Sequence, residues 1–368
     1  VKAWAAVPGA LALAALLSGC STVDGPGYYA QAVRGHLQLL ADAKPVNDWV
    51  SDPATPAALR ERLALSQRIR SFAVTELHLP DNASYRRYAD LKRRSVVWNV
   101  VATPELSLQL KQWCFPVAGC VGYRGYYAEA DAQALAAQLR SAGLDVTVYG
   151  VPAYSTLGWL NWLGGDPLLN TFIHYPEGEL ARIVFHELAH QVVYVNDDSV
   201  FNESFASFVE QQGAQRWLAE RANDAARSEY AAFDARRREF RALALRTRDR
   251  LRQVYGEAAD ATTAAPAATA TPANADAQRA AKAQALADFR AGYTALRARW
   301  GGWAGYDGWV AQAGNASFAI QGAYEEWVPA FAALFEREGR DWRRFYDATR
   351  TLSRLPREER RAALARLN

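Results

Sequence analysis

Residues 171–210 read TFIHYPEGELARIVFHELAHQVVYVNDDSVFNESFASFVE, and this stretch decides the fold the chain is expected to take. It contains His186-Glu187-Leu188-Ala189-His190 and, farther on, Asn202-Glu203 at the start of a second helical pattern. No Pro or Gly interrupts 179–195, and Leu180, Ile183, Val184 and Leu188 recur at helical spacing. Because 3.6 residues make a turn, His186 and His190 project from one face, where both imidazoles can hold a single Zn²⁺. Glu187 between them is placed to polarise a water at that metal. If the two histidines merely pack the helix, the carboxylate between them is buried without a partner, at several kcal/mol. A divalent cation removes that cost, so the spacing predicts a zinc-dependent hydrolase.

Such a site needs a third protein ligand if water is to take the fourth position. Glu203 and Glu210 compete for it. Residues 196–200 (NDDSV) read as a turn that folds the second helix back antiparallel to the first, which brings Glu203 to the motif. Glu210, two turns farther on, then becomes a partner of a ligand or a structural acid. Spacing alone favours Glu210, whose interval after His190 is near that of thermolysin.

Upstream, residues 168–175 (LLNTFIHY) read as a strand that could receive substrate backbone along its edge, with His174 packed or hydrogen-bonded rather than ligating. Residues 95–102 (SVVWNVVA) are a buried strand by their β-branched content, 108–115 a shorter one, and 146–149 another. Residues 28–43 and 128–142 are helical in pattern. Thr55-Pro56 reads as an N-cap and first helical residue for a helix running to about His78. The cluster at 119–127 (GCVGYRGYY) reads as a structured loop whose Tyr123, Tyr126 and Tyr127 could line a substrate cleft, though packing against the disulfide is the commoner use.

Downstream, 214–255 reads as one continuous helix, and its eight arginines between Arg236 and Arg252 are interspersed with Glu239 and Asp249 as on a solvated face. Residues 258–275 turn to Ala, Thr and Pro, the composition of a disordered excursion, before a returning helical arm at 278–300.

The whole chain has 368 residues, half of them apolar, and a formal charge of +3. It can bury a large core and shows no nucleic-acid footprint. Residues 1–19 read as a secretion signal whose apolar run, Leu11 to Leu17, is too short to span a bilayer. The run ends Leu17-Ser18-Gly19-Cys20, which resembles a bacterial lipobox, so Cys20 is expected to carry lipid. Ser21 after it points to the periplasmic face of the outer membrane. Residues 20–368 then form one metallopeptidase domain. In an oxidising compartment, Cys114 and Cys120 favour a short-loop disulfide over a metal site.

HELAHQ at 186–191 with NESFASFVE at 202–210 resembles the paired motifs of the aminopeptidase N-type gluzincins. That resemblance implies His186, His190 and Glu203 as zinc ligands and Glu187 as general base. It also implies a tyrosine that stabilises the oxyanion, for which Tyr324 leads, ahead of Tyr194 and Tyr154. More widely, the lipobox, YYAQA at Tyr28, GWLNWLGGDPLLN, the zinc pair and Asn315-Ala316 with Tyr324 resemble the predicted aminopeptidase lipoproteins of proteobacteria.

The expectation is therefore an α+β, zincin-like metallopeptidase with a small sheet beside the zinc helix and a mostly helical C-terminal half. It acts on peptides, uses Zn²⁺ and is held to the membrane by lipid. The G-x-M-E-N segment with which aminopeptidase N-type enzymes bind a free amine is missing, and the chain has no Met. An endopeptidase or oligopeptidase, or a zinc-containing lipoprotein that binds envelope partners, therefore stands beside the aminopeptidase reading.

Overall fold

The computed structural model describes residues 26–115, 119–153, 156, 161, 164–196, 198–257, 272–321 and 326–367. The described chain opens with α1 (Pro26–Asp42), β1 (Lys44–Pro45), α2 (Val46–Ser51) and α3 (Ala57–Thr75). Pro56 rather than Thr55 occupies the cap position of α3, and no side chain caps it. There follow β2 (Arg87–Ala89), β3 (Val97–Pro104), β4 (Trp113–Phe115), β5 (Gly119–Val121), β6 (Arg124–Tyr126), α4 (Glu129–Ser141), β7 (Leu144–Val151) and β8 (Leu168–Leu169). The rest is helical: α5 (Glu177–His190), α6 (Ser199–Glu220), α7 (Asp224–Tyr255), α8 (Pro272–Arg299), α9 (Asp307–Ala311), α10 (Asn315–Gln321), α11 (Val328–Arg337), α12 (Trp342–Ser353) and α13 (Arg357–Ala365).

The strands make three small sheets, β1–β2–β8, β6–β3–β7 and the hairpin β4–β5. In the second sheet β3 lies antiparallel to both neighbours, with Asn99 opposite Gly125 on one side and Tyr149 on the other. Alternation along the strands sends Val100, Tyr126 and Val148 to the face that α4 covers with Ala132 and Ala136. Asn99 and Tyr149 look the other way, and the Asn99 amide donates to the Tyr149 hydroxyl at 3.3 Å. The hairpin β4–β5 is closed by the Cys114–Cys120 disulfide.

Four readings need correction. LLNTFIHY is a strand only at Leu168–Leu169. Beyond it Ile173 N–H bonds the Leu169 carbonyl at 3.0 Å and Tyr175 N–H the Phe172 carbonyl at 3.0 Å, which is a helical turn. The buried residues Leu168, Leu169, Phe172 and Ile173 recur with a helical period rather than with alternation, and the Asn170 side chain ties the turn to Leu91 and Arg93. A substrate-receiving edge along 168–175 is thus absent. His174 on that turn is exposed rather than packed.

The helix expected through 214–255 breaks at Arg221–Asn223, because the Asn223 side chain accepts from Ala226 N–H and starts α7 afresh. Of the Ala/Thr/Pro excursion, 258–271 lies outside the described residues and 272–275 forms the first turn of α8.

Two large apolar cores organise the molecule. The larger packs α3, α5 and α6 against α11–α13 and includes Phe201, Phe205, Phe208, Phe331, Phe345 and Trp342. The second lies within the α7–α8 hairpin and seats α9 and α10 on it through Phe240, Phe289, Val310 and Phe318. Helix α5 is buried against α3, α6 and α7, which is why its apolar residues Leu180, Val184 and Leu188 are fully covered.

Candidate metal centre

α5 and α6 pack antiparallel, as successive pairs along them show: Trp217 Nε1 donates to Glu177 at 2.9 Å, Arg182 bonds Glu210, and His186 and His190 meet Glu203. Gly213 permits the close approach. A Cβ there would lie 2.8 Å from the Phe185 ring and 2.7 Å from Leu77.

The turn between the helices is held by two side chains. Asn202, 1% exposed, accepts from Val195 N–H and donates to the Val195 carbonyl, each at 2.8 Å. Asp198 caps α6 by accepting from Phe201 N–H at 3.2 Å, and its other oxygen takes two bonds from buried Arg360 of α13, at 2.6 and 2.9 Å. At the C-terminal end of α5, Gln191 accepts from Asn82 at 2.6 Å and donates to Ser84 at 3.2 Å. Buried Arg70 holds residues 80–84, which carry Asn82 and Ser84, by donating to the carbonyls of Pro80, Asn82 and Ser84.

On this frame, donor atoms of His186, His190 and Glu203 all lie within 4.8 Å of one another. The two Nε2 atoms are 3.1 Å apart, His186 Nε2 is 3.4 Å from Glu203 Oε2, and His190 Nε2 is 3.7 Å from Glu203 Oε1. Zinc–ligand bonds of about 2.0–2.2 Å set neighbouring donors of a tetrahedron about 3.3–3.6 Å apart. The spacings of 3.1, 3.4 and 3.7 Å bracket that range, and two nitrogens with one carboxylate suit Zn²⁺ chemically, so the residues fit the ion.

Glu210 stands apart from the triangle. Its Oε2 lies 3.0 Å from His186 Nδ1, the ring nitrogen facing away from the other donors, and its Oε1 bonds Arg182. Arg182 is 3.7 Å from Glu179, which takes two bonds from Arg237 of α7 at 2.7 and 2.8 Å, and Arg237 also bonds Asp234. One arginine of the supposedly solvated α7 face is thus half-buried in the support of the site. A carboxylate on the far nitrogen of a ligating His fixes its tautomer and ring orientation. Glu210→Gln is expected to raise the Kd for Zn²⁺ about 10–100-fold with the fold intact. Competition with a chromophoric chelator measures this, and an unchanged Kd would show that Glu210 does not orient His186.

Electrostatics follow burial and neighbours. Burial pushes the Glu187 carboxyl up to about 7, with His186 only partly opposing it. Burial takes His190 down to about 4. For His186 burial acts downward, yet Glu203 and Glu210 outweigh it and hold the ring well above its usual value. Burial raises Glu203, but His190 and His186 overcome it and keep the group below the carboxylate range. Glu210 is held at about 2 because Arg182 and His186 outweigh its desolvation. Crowded carboxylates and imidazoles with such divergent values mark a site built for charge.

Tyr123 lies within electrostatic reach of Glu203 and Glu187. It lies one residue before β6, between the disulfide-closed hairpin and the sheet, and alternation from Gly125 places it on the Asn99 face. Part of its ring is exposed, while burial and the charges of Glu203 and Glu187 push its phenol above the usual range. Sequence reading favours packing against the disulfide for it over a place in the cleft. Of the other tyrosines, Tyr194 meets His190 edge-on at 6.3 Å, and Tyr324 and Tyr154 lie outside the described residues, as does Cys20.

No curated protein and no solved structure matches the chain. The model of the family described as "Putative aminopeptidase" matches residues 27–364, which run from α1 through all but the last residue of α13 and include both helices of the site. The protein therefore belongs to that family, and with it to the peptidases.

Proposed function

We propose that this protein is a zinc-dependent aminopeptidase of the bacterial cell envelope, gluzincin-like in its site and zincin-like in its α+β fold. The observation that carries the proposal is the donor triangle of His186, His190 and Glu203, whose edges bracket the length that a tetrahedral Zn²⁺ requires. When bound, the ion supplies the positive charge that polarises a peptide carbonyl and acidifies water towards a pKa of about 7.

The chain's own groups supply the rest. Glu187 follows His186 on α5 and is partly exposed. It accepts a proton from the attacking water and returns it to the departing amine. Glu210 and Arg182 hold His186 in orientation. Tyr123 keeps its phenol protonated and donates to the carbonyl oxygen as that atom gains charge. Tyr123→Phe is expected to lower kcat about 10²–10³-fold with metal content unchanged. An unaltered kcat would return that role to Tyr324.

The family description favours removal of N-terminal residues. The experiment is metal analysis of the purified protein joined to digestion of a peptide library with and without chelator. One zinc per chain with chelator-sensitive trimming of N-termini supports the proposal. Internal cuts would make the protein an endopeptidase, and inertness with zinc present would make it a binding protein.

Lipid on Cys20 places this chemistry at the envelope membrane. Among the described residues no helix is long and apolar enough to cross one.

A further inference from the structure

The outer face of α1 is apolar. Tyr29, Val33 and Leu37 are 36%, 58% and 54% exposed, and they are three of the five large apolar side chains exposed among the described residues. They recur every fourth residue, so they form one stripe along the helix, spanning about 80° of its circumference. The other side of α1 is occupied: Tyr28 stacks on Phe115 and meets Tyr126, Gly35 lies against the Tyr127 ring, and Leu39 enters the main core. The stripe is therefore not needed to fix α1 in place. Exposed Arg34 and Gln38 border it.

We propose that this stripe docks on the surface of the membrane that carries the lipid on Cys20. Only residues 21–25 separate that cysteine from α1. Five residues reach at most about 18 Å even when fully extended, so a chain anchored at Cys20 keeps the start of α1 within reach of the headgroups, where the stripe can settle on them. An amphipathic helix lying in that plane buries its apolar face about 5–10 Å into the boundary between headgroups and acyl chains. Tyr at the start of the stripe suits the interface, and Arg34 at its border suits lipid phosphates. A second copy of the chain is a poor occupant, because three side chains fall far short of the roughly 20–30 residues per side of a stable interface. Docked in this way, the peptidase domain meets its substrates in a fixed orientation instead of swinging on a tether.

The proposal rests on lipid attachment at Cys20, which mass spectrometry of the N-terminal peptide reads separately. The test uses the full acylated chain in vesicles of phosphatidylethanolamine and phosphatidylglycerol. An environment-sensitive fluorophore is placed at Leu37→Cys or, as the control, at Gln38→Cys, where each native side chain is exposed and its loss leaves the fold intact. The expected result is a blue shift at position 37 and several-fold stronger quenching by lipid-borne nitroxides there than at 38. Equal quenching by an aqueous quencher at both positions, on an acylated protein, overturns the docking alone. Protection at 37 that appears in detergent and grows with protein concentration overturns it in favour of a second copy. An unacylated Cys20 overturns the anchor and the docking together.

Discussion

With Zn²⁺ at the proposed site, Glu187→Gln is expected to keep the metal and to cleave peptides about 10²–10⁴-fold more slowly, the range that general-base catalysis contributes. The two halves of this result separate because Glu187 is not in the donor triangle: His186, His190 and Glu203 supply the three close donors. The amide keeps the size of the carboxylate but accepts no proton. In the protein without metal, burial holds the carboxyl at about 7. A cation beside it favours the charged form and lowers that value, so the base is ready at neutral pH once zinc is present. Metal analysis with steady-state kinetics on one peptide checks both halves. Full activity in a zinc-loaded Glu187→Gln protein would sink the assignment of the base, and loss of zinc would make Glu187 a ligand or its support.

Arg360→Ala is expected to cost about 3–5 kcal/mol of stability, the usual consequence of leaving one partner of a buried ion pair uncompensated. Asp198 and Arg360 have side chains only 3% and 4% exposed, and their bonds join α13 to the turn that positions Glu203. Arg360 also donates to the Leu355 carbonyl at 2.8 Å and lies 5.2 Å from the centre of the Phe201 ring, contacts that the substitution removes as well. Chemical denaturation should show a lower midpoint with an unchanged m-value. Removing both charges, as Asp198→Asn with Arg360→Ala, should cost less than the sum of the single changes, because no lone buried charge is left. Strict additivity would mean that the pair is not coupled. Zinc affinity should weaken along with stability, since the cap of α6 and the position of Glu203 depend on the same carboxylate.

The residues 168–175 and 221–223 show where local pattern stops being informative. Eight mostly apolar residues before Pro176 satisfy a strand and a buried helical turn equally well by composition. Asn170, by bonding Leu91 and Arg93 from another part of the chain, settles it as a turn. Asn223 carried a local cap signal in the open, but continuous helical periodicity on both sides of it masked the break.

What the sequence by itself determined is short in range. Four-residue spacing on an uninterrupted helix put His186 and His190 on one face, with Glu187 between them. β-Branched content marked out β3, and five residues between Cys114 and Cys120 were short enough to close as a disulfide. Each of these depends on φ and ψ repeating over a turn or two, which residue order encodes directly. Tertiary structure alone decided the rest. The turn at 196–200 already favoured Glu203, and the antiparallel seating of α6 on α5 then set it within 3.4 Å of His186 Nε2 while Glu210 met Nδ1 from the other side. It also brought Arg237, Arg360 and Tyr123 to the site from segments with no motif of their own. Those contacts join residues 58 positions apart for Arg237 with Glu179 and 162 apart for Arg360 with Asp198. No local periodicity reaches across such separations; they are fixed by which apolar faces pack together.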